Sequence, residues 1–212
     1  KDGALEHLKS GSCIVDHTTT SADLAKEMNN LLSTKNINYL DAPVSGGQAG
    51  AESGQLSIMV GGRDKSYDEI KDLIKTYSKF SKHMGKSGAG QLTKMVNQIC
   101  IAGLLQGLAE GINFSEKVGL DSSDVLEVVS KGAAQSWQME NRWHTMIEDK
   151  FDHGFAVDLM RKDLEIVIKK AQDENITIDV TKIVNDYYKE IQKAKGGKWD
   201  TSSLYKRLKD NL

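Results

Sequence analysis

The chain has 212 residues, enough for one large or two modest domains. Hydrophobic residues make up 39% and charged residues 27%, an ordinary globular balance. The net charge is −2, without a basic stripe or a run of like charge, which argues against nucleic acid and anionic membrane surfaces as partners. No apolar stretch approaches the roughly 20 residues that span a bilayer. Lys1 to Gly11 lacks an apolar signal core. A cytoplasmic protein with no membrane partner is therefore expected. Cys13 and Cys100 are far apart in apolar surroundings and read as reduced core residues. His7, His17, His83, His144 and His153 show no metal-ligand spacing, so no metal is expected.

In chain order, Ser12 to Asp16 (SCIVD) is an apolar run suited to a buried strand. Leu24, Met28, Leu31 and Leu32 give Ser21 to Leu32 a helical spacing. Ile37 to Val44 reads as a strand that ends at Pro43 and the following glycines, and Leu56 to Val60 as another, closed by Gly61-Gly62. Asp64 is placed to cap a helix over Lys65 to Tyr77, and Phe80 to Met84 is a further short strand. Alternating strands and helices predict a layered α/β sheet.

After Gly90 the pattern changes. Gln91 to Val118 reads as one long helix, apolar around much of its girth and so buried on several sides. Gly103, Gly107 and Gly111 recur every four residues, a spacing that predicts close helix packing. Asp121 or Ser122 caps a helix over Ser123 to Ser130, further helices follow, Gly196-Gly197 breaks the last pair, and Thr201 or Ser202 caps the terminal turn. The boundary falls at 87/88, giving an α/β part over 1–87 and an all-helical part over 88–212. No Gly-x-Gly-x-x-Gly stands between a strand and a helix, and the sheet that starts at SCIVD is small. The chain is thus expected to begin partway through its first domain, without the loop that carries a dinucleotide's pyrophosphate.

Three segments have the residue types for chemistry. In Asp41-Ala-Pro-Val-Ser-Gly-Gly47, Ser45 offers a hydroxyl while Gly46 and Gly47 expose backbone N–H groups, a turn able to cradle a carboxylate or to be a plain tight turn. In Gly88-Ala-Gly-Gln-Leu-Thr-Lys-Met-Val-Asn-Gln98, residues Lys94, Asn97 and Gln98 stand at i, i+3 and i+4 on one helical face. They either edge into solvent near the helix start or are buried for a purpose. In Phe155-Ala-Val-Asp-Leu-Met-Arg-Lys-Asp-Leu164, Lys162 and Asp163 interrupt an apolar helix, as a surface ion pair also would.

In this order and spacing the three segments resemble the β-hydroxyacid dehydrogenases, which include 3-hydroxyisobutyrate dehydrogenase and tartronate semialdehyde reductase. The resemblance runs from Ile14 (IVDHTTTSA) to the end and rests on DAPVSGG with GQLSIMVGG, on GAGQLTKMVNQ and on LMRKDL. It implies an α/β partial Rossmann domain followed by an all-α domain like that of 6-phosphogluconate dehydrogenase, with the active site in the cleft between them. The implied cofactor is NAD or NADP and the implied substrate a small hydroxy acid. Ser45, Gly46 and Gly47 would bind the substrate carboxylate, Lys94 would be the acid/base, and Asn97 or Gln98 would hold the substrate. Many relatives carry Asn where Gln98 stands. Thr19, Lys162 and Asp163 match cofactor-side positions. A homodimer or homotetramer is typical of the family. The alternative is a non-catalytic truncated module that keeps only an oligomerising helical domain.

The chemistry is consistent with these residues. Oxidising a hydroxyl removes a hydride from carbon and a proton from oxygen. The nicotinamide takes the hydride, and a lysine takes the proton only if its pKa falls well below about 10.4. No nucleophile is required, in keeping with the lack of a Ser-His-Asp or Cys-His arrangement.

Overall fold

A computed structural model describes residues 3–212; Lys1 and Asp2, the start of the segment read as lacking a signal core, lie outside the described residues. Two compact units are present, Lys1–Asn97 and Gln98–Leu212.

The first unit is a mixed sheet with helices on both faces. Strand β1 (Cys13–Asp16) pairs in parallel with β2 (Asn38–Asp41), residue for residue, so that Asp16 lies beside Asp41. Between them runs helix α1 (Ala22–Ser33), capped by Ser21, whose side chain accepts from the Leu24 N–H. β2 pairs antiparallel with β4 (Leu56–Gly62), which also pairs antiparallel with β3 (Val44–Ser45) and in parallel with β5 (Ser78–Gly85). Short helix α2 (Gly47–Glu52) follows β3, and α3 (Asp64–Ile74) lies between β4 and β5.

The alternation of side chains along the strands builds two cores. Ile14 and Tyr39 point one way, onto Ala25, Met28 and Leu32 of α1. Cys13, Val15 and Leu40 point the other way, into a cluster with Ile58, Val60 and, on α3, Tyr67, Ile70 and Ile74.

Two local expectations need correction in this unit. The strand over Ile37 to Val44 is interrupted: pairing stops after Asp41 and resumes at Val44. Pro43 has no N–H to give a ladder, and the bend around it sets the Pro43 carbonyl to accept from the Met59 N–H at 3.1 Å. Asp64 is the first residue of α3, not its cap; Arg63 is the N-cap and makes no side-chain cap bond, while Asp64 Oδ1 lies 3.3 Å from His83 Nδ1.

Helix α4 (Ala89–Lys117) runs through the end of the first unit into the second. The second unit is all helical: α5 (Ser122–Val129), α6 (Trp137–Ile147), α7 (Val157–Asp173), α8 (Asp179–Lys193) and α9 (Leu204–Asp210). Its core centres on Ala102, Leu105, Ala109 and Ile112 of α4, against Met160, Tyr188, Ile191, Leu204 and Tyr205. Asp121 caps α5 through the N–H groups of Ser123 and Asp124. At the far end the cap is Asp200, not Thr201 or Ser202. Its carboxylate accepts from the Ser202 N–H at 3.0 Å and the Ser202 hydroxyl at 2.6 Å, with Arg142 Nε at 3.2 Å. An ionised acceptor paired with a cation outbids a hydroxyl for that place.

Three readings of α4 change. By length and composition alone it is long and apolar enough to cross a bilayer, although no stretch was expected to be, yet its buried stripe forms the core of the helical unit. Cys100 is exposed, not in the core, on a stripe that also exposes Leu92, Val96 and Leu104 at intervals of four. Nor do the glycines mark tight packing, for a Cβ at Gly107 or Gly111 would meet nothing within 4 Å, and one at Gly103 only ordinary contact with Val180. Gly107 and Gly111 instead line a groove of about 310 Å³ with Leu104, Val125, Val129 and Met139.

Candidate active site

In the first unit the chemistry-bearing segments leave the carboxyl ends of the parallel strands β1 and β2, where open α/β sheets place their ligands. The loop after β1 carries Thr19, half-buried. Asp16 Oδ1 accepts from the Thr18 N–H at 2.9 Å and Asp16 Oδ2 from the Tyr39 hydroxyl at 2.9 Å. Burial works against ionising Asp16, but these hydrogen bonds outweigh it and hold the carboxyl below its usual range. His17 donates from Nδ1 to the Ala42 carbonyl at 2.7 Å, and its Nε2 lies 3.1 Å from the Tyr77 hydroxyl oxygen.

The segment after β2 turns at half-buried Ser45 and exposed Gly46 and Gly47. Gly46 has φ +133° and Gly47 φ +60°, and both conformations favour glycine. A Cβ at Gly47 would meet nothing within 4 Å, so its backbone is approachable from outside.

Lys94 lies in the second turn of α4 and is 7% exposed. Asp41, the last residue of β2 and fully buried, accepts from the Gly88 N–H at 2.7 Å and the Gln91 N–H at 3.0 Å, so it holds the start of that helix. Burial pushes the Asp41 carboxyl above its usual range, opposed by the backbone N–H groups it accepts from. A Cβ at Gly61 would sit 2.6 Å from Asp41 Oδ1, and one at Gly90 2.4 Å from the Met59 carbonyl. Gly61 of GQLSIMVGG and Gly90 of GAGQ thus make room for one carboxylate, while Gly62 gives way to Leu40 and the Tyr39 carbonyl. Gln91, also fully buried, accepts from the Thr20 N–H at 3.0 Å through Oε1 and donates from Nε2 to the Thr18 carbonyl at 2.8 Å.

In the second unit, Gln98 and Asp163 are both 2% exposed, and Gln98 Nε2 donates to Asp163 Oδ2 at 2.8 Å. Lys162 Nζ lies 3.0 Å from Asp163 Oδ1 with its side chain about half exposed. Gln98, Lys162 and Asp163 therefore form one linked group, while Asn97 is half-buried on α4. Neither Asp41 nor Gln91 was singled out as a site residue by the sequence. The available signal was a carboxylate and an amide at positions whose neighbours are apolar or glycine.

The comparisons with known proteins bear on this arrangement. The family model for the NAD-binding domain of 6-phosphogluconate dehydrogenase matches residues 1–100. The model described as NAD-binding of NADP-dependent 3-hydroxyisobutyrate dehydrogenase matches residues 88–208. An uncharacterized oxidoreductase of Shewanella frigidimarina is 53% identical over 206 residues, 97% of this chain and 71% of that protein. The chain belongs to the β-hydroxyacid dehydrogenase family. The 2-hydroxy-3-oxopropionate reductase of Escherichia coli is 31% identical over 208 residues, 98% of this chain and 71% of its own length. The crystal structure of a 3-hydroxyisobutyrate dehydrogenase from Salmonella typhimurium superposes with a TM-score of 0.87 at 28% identity, covering 97% of this chain and 72% of that one. The expected Rossmann α/β part followed by a helical domain is the architecture of this β-hydroxyacid dehydrogenase, its cofactor is NAD or NADP, and its activity is that of a hydroxyacid dehydrogenase.

Proposed function

We propose that the protein interconverts a short β-hydroxy acid, of the 3-hydroxyisobutyrate type, and its semialdehyde or keto acid, with Lys94 as the acid/base. The observation that carries this reading is a lysine 7% exposed in the second turn of a helix whose first turn is fixed by a buried carboxylate. A lysine held in this way is placed to pass a proton to or from the substrate oxygen. In oxidation Lys94 takes the hydroxyl proton; in reduction its ammonium polarises the carbonyl and returns the proton. When bound, the nicotinamide supplies or accepts the hydride.

Ser45 and the N–H groups of Gly46 and Gly47 hold the substrate carboxylate, which sets the length of acid accepted. Asn97 and Gln98 are the substrate-side amides, Gln98 acting chiefly through Asp163 because its nitrogen donates there. Thr19, Lys162 and Asp163 face the dinucleotide, and their chemistry suits it: a hydroxyl on a pinned loop and a half-exposed cation oriented by a buried carboxylate. We further infer a cytoplasmic protein that works as a homodimer or homotetramer.

The test is a substrate panel of 3-hydroxyisobutyrate, 3-hydroxypropionate, lactate and 2-hydroxybutyrate with NAD and NADP. The reading predicts kcat/KM for a β-hydroxy acid about a hundredfold above that for any 2-hydroxy acid. Equal rates on lactate, or turnover of neither β-hydroxy acid, would contradict it.

A further inference from the structure

We propose that Gln91 is a positioning residue that fixes the Thr19 loop to the helix bearing Lys94. The proposal rests on the reading above that Thr19 faces the dinucleotide. Gln91 is fully buried and uses both ends of its amide on the backbone on either side of Thr19. Oε1 takes the Thr20 N–H and Nε2 gives to the Thr18 carbonyl, so the chain is gripped immediately before and after Thr19. Its own N–H is held by Asp41, whose other oxygen holds the Gly88 N–H. Gly90 lies between these two anchors, so close to the Met59 and Asp41 carbonyls that no side chain fits.

The result is a short path of direct bonds from β2 through the first turn of α4 to the loop after β1. Lys94 is three residues beyond Gln91, so it occupies the next turn on nearly the same face of the helix. An amide is suited to this task because it gives one acceptor and one donor in fixed geometry and carries no charge into a buried place beside a carboxylate. Any apolar replacement leaves the Thr20 N–H and the Thr18 carbonyl without these partners and frees the loop to move against the helix. Displacements of about 1 Å in such frames are enough to impair binding and turnover.

The experiment uses the full-length protein and two readouts, the Kd for NADH and NADPH by fluorescence and amide hydrogen exchange at Thr20. Gln91→Leu should weaken dinucleotide binding about tenfold or more, as expected for two lost hydrogen bonds, and abolish protection at Thr20. Gln91→Glu gives a sharper result. Its carboxylic acid both donates and accepts, whereas its carboxylate only accepts, so binding should approach that of the parent as the pH falls and worsen as it rises. Ile58→Val, which trims the core under β4, should lower thermal stability and leave both Kd values unchanged. Parent-like Kd values in Gln91→Leu, or a pH-independent deficit in Gln91→Glu, would overturn the proposal. Thr19→Ala separates the two claims: parental Kd values in that variant would remove Thr19 from the dinucleotide site, whereas weakened binding there beside parental binding in Gln91→Leu would overturn the Gln91 proposal alone.

Discussion

Asp16 and Asp41 lie side by side at the ends of two parallel strands and are driven in opposite directions. Asp16 is held below its usual range because donated hydrogen bonds outweigh its burial; Asp41 is pushed above its range because burial outweighs the N–H groups it receives. The stabilisation from Asp16 is complete above its unfolded value of about 3.9 and is lost as pH falls through the lower folded value. Asp41 has the opposite sign: ionising it costs stability, a cost that sets in as pH rises through about 3.9 and is complete above the folded value. Carboxyl-carbon NMR should therefore show the Asp16 midpoint below, and the Asp41 midpoint above, that of an unfolded aspartate. The reverse order would refute the hydrogen-bond assignment. A sequence shows both residues simply as Asp at a strand end. What separates them is the balance of burial against donated hydrogen bonds that the fold gives each carboxyl, and for Asp41 that balance involves Gly88 and Gln91, some 50 positions downstream.

At the scale of elements, the order of strands and helices in the first unit and the long α4 were readable because periodicity and turn residues agree with the packing. The break in the strand at Pro43 is readable in principle, but an apolar run on both sides hides a missing ladder bond. The caps at Arg63 and Asp200 were not readable, since competition among neighbouring acceptors is settled by tertiary partners such as Arg142 and His83. The segment before α7 shows how such partners fix an element. Asp200 accepts from the Phe155 N–H at 2.8 Å, and the Val157 and Asp158 N–H groups donate to the carbonyls of Trp199 and Gly197. Gly154 permits this with φ +72°, and a Cβ there would fall 2.0 Å from Asp200 Oδ2. Gly154→Ala should cost about 2–4 kcal/mol, from the left-handed backbone and the clash together. A Tm drop on the order of 5 °C or more is expected by calorimetry, and an unchanged Tm would show that the Asp200 loop gives way freely.

For the whole molecule, the family and its cofactor were legible because three motifs occur together in order, whereas the surface was not, because a helix apolar on several sides does not say which side another subunit covers. Phe114, Val118, Val128 and Trp137 are more than half exposed in the helical unit, which also carries the open groove at Gly107 and Gly111. A symmetric dimer or tetramer that covers them is the economical use of such a surface. Light scattering at micromolar concentration should give at least twice the protomer mass, and a clean monomer would end that proposal. The account as a whole turns on Lys94, and steady-state kinetics of Lys94→Ala in the full-length enzyme test it most directly. Turnover should fall by about 10²–10⁴ while the Kd for NADH or NADPH stays within about threefold of the parent; near-parental turnover at the optimal pH would contradict it.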